Sequence, residues 1–185
     1  MDAQTPYIVV TGTDYSEQAS RALRAAYELA KKHAPAELHV VHASLLASAA
    51  VGYAVPPFGG VPASPVRDLD DQQRALTQHL DEQLSKLPGF AQSGVSVMAH
   101  VLLDAPMFAL TRLAAELDAD VIVVGSHGRH GIARWLLGSV AEAVVRQASC
   151  PVMVIPPLPG ELASPRHEPG GRAQIYHEAE PAVRQ

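Results

Sequence analysis

Lysine is nearly missing from this chain, with only Lys31, Lys32 and Lys86 among 185 residues, and acidic residues outnumber basic ones to leave a formal charge of -5. No basic stripe can form to hold a polyanionic duplex, so nucleic acid is excluded as a principal partner. A single cysteine, Cys150, rules out an internal disulfide and a cysteine-rich metal site, and suits a reducing compartment. Cys150 precedes an apolar run with no base beside it in sequence, which reads as a buried structural thiol. The opening MDAQTPYIVV lacks a basic region followed by a long apolar stretch, and no later run is long enough to cross a bilayer. The expectation is a soluble, cytoplasmic protein without a membrane partner. The nine histidines show no H-E-x-x-H spacing, so no metal site is assigned, and the Walker sequence and the G-x-G-x-x-G turn are both missing.

What the chain does have is alternation. Tyr7 to Thr11, Leu38 to His42, Val95 to Leu103, Val121 to Val124 and Val152 to Ile155 are short β-branched or apolar runs, the mark of strands buried on both faces. Between them lie helical periodicities. Ala19, Leu23, Ala26 and Ala30 recur from Ser16, a natural cap, with Lys31, Lys32 and His33 at the negative end of the dipole. Leu69, Leu76, Leu80, Leu84 and Leu87 trace one face of a second helix, Val66 to Leu87. Asp104 before Ala105-Pro106 predicts a capped helix running to Leu117, and Gly138 to Gln147 a fourth.

This pattern predicts a single α/β domain over residues 1–157, a doubly wound, Rossmann-like parallel sheet of five strands with helices on both faces. The orders 2-1-3-4-5 and 3-2-1-4-5 both fit, and both contain a reversal of winding where ligands bind. Residues 43–65, rich in proline and glycine, read as a long flexible loop, and residues 158–185 as a disordered tail.

The chemistry concentrates after the fourth strand, in Gly125-Ser126-His127-Gly128-Arg129-His130-Gly131 and onward to Gly138-Ser139-Val140. Glycines permit close backbone approach, and a helix beginning at Gly138-Ser139 offers unpaired N–H groups and partial positive charge to an anion. Phosphate suits such a site. The plainer reading is a long surface loop with Ser139 capping a helix. His127 and His130 face solvent or a phosphate, and Arg129 and Arg134 either screen a phosphate or are solvated.

The spacing Gly125-x2-Gly128-x9-Gly138-Ser139 is similar to the ATP-binding signature of universal stress proteins, and the surrounding VIVVGSHGRHGIARWLLGSVAEAVVRQASCPVMVI resembles that family throughout. So does the opening YIVVTGTDYSEQASRALRAAYELA. The resemblance covers residues 7–157 and implies the order 3-2-1-4-5, with Asp14 and Gly125 on either side of the reversal. It implies that Asp14 binds the ribose hydroxyls, that Thr13 lines the same turn, and that backbone near Val41 meets the adenine edge. Gly125, Gly128, Arg129, Gly138, Ser139 and Val140 would surround the phosphates of ATP, with or without magnesium. Ala141 departs from relatives that carry a hydroxyl there. The family also implies a homodimer through Val152 to Ile155.

No general base and no lysine stand in this motif, so the expectation is a nucleotide-dependent regulatory or stress-adaptation factor and not an enzyme. The alternatives are a nucleotide-independent interaction module of the same fold, and a slow nucleotide hydrolase.

Overall fold

The computed structural model describes residues 5–44, 65–126 and 137–157. Five strands, β1 (Tyr7–Gly12), β2 (Ala36–Ala43), β3 (Val95–Leu102), β4 (Val121–Gly125) and β5 (Val152–Ile155), form one sheet in the order β3-β2-β1-β4-β5. Every pairing is parallel. Among the described residues four α-helices alternate with them: α1 (Glu17–Lys32), α2 (Pro65–Leu84), α3 (Pro106–Glu116) and α4 (Ser139–Gln147). Of the two orders that the pattern allowed, 3-2-1-4-5 is the one adopted.

Each face of the sheet carries its own core, because side chains alternate along a strand. Val9, Leu38, Val40, Val121 and Val123 point to one face, where Leu23, Ala26 and Tyr27 of α1 and Leu76, Leu80 and Leu84 of α2 cover them. Val10, Val41, Ile122 and Val124 point to the other and meet Ala109, Leu110 and Leu113 of α3 with Ala141 and Val144 of α4. Gly12 ends β1 where α3 comes close. A Cβ there would lie 3.3 Å from Leu110 Cδ1, so even alanine would press on the helix.

The helix ends follow their sequence signals with one exception. Ser16 caps α1, its Oγ accepting from Ala19 N at 3.1 Å, and Lys31 and Lys32 lie in the last turn. Asp104 does not cap α3. Ala105 holds the cap position without a side-chain bond, while Asp104 Oδ1 accepts from Ala105 N at 2.8 Å and Oδ2 pairs with Arg112 at 3.1 Å. Pro106 occupies the first turn and brings no N–H to satisfy, which leaves the carboxylate to bind an arginine one and a half turns on. The 43–65 loop, apart from its ends, and the 158–185 tail lie outside the described residues.

Candidate functional site

β1 and β4 are neighbours paired at Val9–Val121, Val10–Ile122 and Thr11–Val123, so the winding reverses between them. Thr11 Oγ1, fully buried, reinforces this seam by donating to Val123 O at 2.8 Å. Two distant segments follow the carboxyl ends of these two strands. One is the turn after β1. The other runs from the end of β4 to the start of α4.

The first turn is bonded at nearly every position. Thr13 N donates to Val41 O at 2.8 Å, Tyr15 N to Thr13 Oγ1 at 3.1 Å, and Ser16 N to Asp14 Oδ1 at 3.0 Å. Thr13 is 7% exposed and Asp14 half-buried, and Tyr15 takes a positive φ of 63°. Asp14 therefore holds its own turn. Val41 is 2% exposed with its side chain in the second core, so its side chain is not open to a ligand, and its carbonyl already accepts from Thr13 N.

The second segment is anchored at both ends. Ser126 N donates to Ile155 O at 2.9 Å, and Gly138 N donates to Ser126 O at 2.7 Å, joining the end of β4 directly to the start of α4. Gly138 is the N-cap of α4 with no side-chain bond and extended angles of φ -60° and ψ 151°. Its backbone is therefore not left-handed and does not require glycine. Ser139 and Val140 are exposed in the first turn, and Glu142 N is satisfied by Gly138 O. Gly128 and Arg129 lie outside the described residues, as do His127, His130, Arg134 and Trp135.

Asp14 and Thr13 thus stand on the β1 side of the reversal, with Gly125, Gly138, Ser139 and Val140 on the β4 side. A carboxylate can accept from a diol and repels phosphate, while a helix start without a side-chain cap attracts an anion. A Universal stress protein family model matches residues 7–156. The chain belongs to that family. A universal stress protein of Methanocaldococcus jannaschii is 32% identical over 148 residues, covering 80% of each chain. One from Mycobacterium tuberculosis is 31% identical over 163 residues, and there the chain spans only 52% of the relative's length. A solved universal stress protein of Archaeoglobus fulgidus superposes with a TM-score of 0.54 at 27% identity, covering 81% of this chain and 98% of that one. A structure from the same organism in complex with dAMP gives 0.51 at 26% identity, covering 81% and 97%. Another universal stress protein, in complex with cAMP, gives 0.54 at 26% identity, covering 80% and 95%.

Within this universal stress protein fold, Ala141 takes on a packing role. It is 2% exposed in the second core, where a hydroxyl would need a partner. Cys150 is half-buried against the same core, and burial raises its thiol above the ordinary range, which keeps it weakly nucleophilic. Sequence spacing missed the histidines. His39 Nε2 lies 3.1 Å from Glu37 Oε2 and its Nδ1 3.0 Å from His100 Nε2, while His42 Nδ1 lies 3.0 Å from Thr13 O. Glu37 and His39 share β2, but the His39–His100 and His42–Thr13 pairs join segments far apart in sequence, so no short motif could announce those two. Among the described residues no three acidic, histidine or cysteine groups are placed to hold a metal ion, and no helix is long and apolar enough to cross a membrane.

Proposed function

We propose that this universal stress protein binds an adenine nucleotide, ATP in the first instance, in the crevice between β1 and β4, and acts through its occupancy as a regulatory factor in the cytoplasm. The observation that carries the reading is the convergence of the Thr13–Asp14 turn and the uncapped start of α4 at Gly138 on one reversal point. Asp14 takes the ribose hydroxyls, backbone near Val41 the adenine edge, and Gly125, Gly128, Gly138, Ser139 and Val140 the phosphates. Arg129 offsets phosphate charge, and any magnesium enters with the nucleotide. The adenine nucleotides carried by two solved relatives support this choice of ligand class.

No catalytic role is assigned to any of these residues, because the motif's sequence offers no evident general base and no lysine for a transferring phosphate. Turnover above about one per second, inside the ordinary enzyme range, would overturn that part. Dimerisation through β5 is the natural means of passing occupancy to a second copy, since β5 lies at a sheet edge with one side unpaired to any described strand.

Mass spectrometry of nucleotide released from purified protein, with calorimetric titration of the emptied protein, tests the reading. An adenine nucleotide in the released fraction and saturable ATP binding are expected. A crevice that stays empty at millimolar ATP would instead favour the nucleotide-independent interaction module.

A further inference from the structure

The turn that presents Asp14 carries Tyr15, whose ring is held from outside by two histidines drawn from separate elements. Tyr15, in the left-handed conformation at φ 63°, lies with its ring 4.7 Å from that of His42 at the end of β2 and 5.0 Å, nearly perpendicular, from that of His79 on α2. A non-glycine residue in this conformation persists only where its surroundings fix it. His42 does more than pack. Its Nδ1 lies 3.0 Å from Thr13 O, and a carbonyl only accepts, so Nδ1 carries the proton. Thr13 is consequently fixed at both backbone atoms by consecutive residues of β2, its N by Val41 O and its O by His42 Nδ1. Burial lowers the His79 pKa below the ordinary histidine range, which keeps the other ring against Tyr15 neutral.

We propose that His42 is a positioning residue for nucleotide binding, fixing the Thr13–Asp14 turn through its Nδ1–H so that the Asp14 carboxylate meets the ribose already oriented. This rests on the nucleotide reading above. A preordered turn lowers the entropy lost on binding, so the loss of this one bond reaches the ligand although His42 does not touch it. Asparagine carries an amide nitrogen where His42 has Nδ1, glutamine reaches only to the Nε2 position, and leucine fills the volume without a donor.

The test is calorimetric titration of wild type and of His42→Asn, His42→Gln and His42→Leu with ATP and with inorganic triphosphate, alongside thermal unfolding of each. Wild type that binds no ATP removes the nucleotide reading itself. Given wild-type binding, His42→Asn should remain within about twofold in ATP affinity. His42→Gln and His42→Leu should each lose about five- to tenfold, the scale of one lost hydrogen bond, with triphosphate affinity unchanged in all three. Should the leucine variant fail to fold, the asparagine and glutamine pair carries the comparison. Equal ATP affinity in those two variants, whether retained or lost, overturns the proposal.

Discussion

His39 and His100 face one another across β2 and β3 with Nδ1 and Nε2 3.0 Å apart and their rings stacked at 15°. Glu37, 3.1 Å from His39 Nε2, fixes the proton order. His39 donates from Nε2 to the carboxylate and accepts at Nδ1, so His100 Nε2–H is the donor. An N–H at His39 Nδ1 would instead set two donors against each other.

That arrangement sets a pH dependence. Burial, and then the neighbouring His39, lower the His100 pKa below its ordinary value of 6.5. A histidine with a lowered folded pKa adds stability above its unfolded pKa and loses it as pH falls toward the folded one. Thermal unfolding between about pH 7.5 and 5.5 should therefore show stability falling with acidity. His100→Gln, which keeps an amide near the Nε2 position but does not titrate, should flatten part of the slope. His79, lowered chiefly by burial, contributes with the same sign, so His79→Gln should remove a second share. Wild-type slopes in both variants would show that neither ring governs acid stability.

Gly138 caps α4 without a side chain, and its extended backbone admits any residue. Gly138→Asp should cap the helix from within, adding a few tenths of a kcal/mol to stability by about the usual glycine-to-aspartate difference. The same carboxylate would occupy the free N–H groups and repel phosphate. ATP and triphosphate affinities should both fall by tenfold or more, on the order expected from charge at a helix terminus plus lost bonds. Stability and ligand binding moving in opposite directions is the outcome that unfolding and titration together would register.

Asp14 serves its turn through Ser16 N, so alanine there removes two things at once. Asp14→Ala should weaken ATP by about 1 to 3 kcal/mol and also loosen the turn, whereas Asp14→Asn retains an acceptor for Ser16. Triphosphate binding should be little changed in either. An asparagine variant with wild-type ATP affinity would mean that the carboxylate is there for the turn alone.

Met153 lies on the edge strand and is 38% exposed, while Val154 packs against the second core. Met153→Arg should weaken a dimer formed through β5 without unfolding the protomer. Light scattering should give a dimeric mass for wild type and a smaller one for the variant; a single mass shared by both would place any association elsewhere.

The strands were readable because a parallel sheet buried on both faces needs short β-branched runs, and Val121 to Val124 or Val152 to Ile155 admit little else. Helix faces were equally plain: Ala19, Leu23, Ala26 and Ala30 are all buried. The strand order came from family resemblance, since alternation alone leaves two windings open. Asp104 misled because an acidic residue before Ala-Pro looks like a cap, and the competing partner, Arg112, sits eight positions on. Ala141 looked like a missing ligand contact when its position on α4 faces the sheet. The histidine contacts were beyond reach of any local pattern, because only the register of β2 against β3, and the return of β2 beside the first turn, bring those rings together.

The Gly138 N to Ser126 O bond has a consequence for how this family can vary. It holds the end of β4 and the start of α4 at a fixed 2.7 Å, independent of what is strung between them. The end of β4 and the start of α4 are thus clasped directly to each other. Lengthening or rewriting the sequence between them leaves the clasp where it is, and costs only slowly growing closure entropy. That sequence can therefore change without dislodging the start of α4.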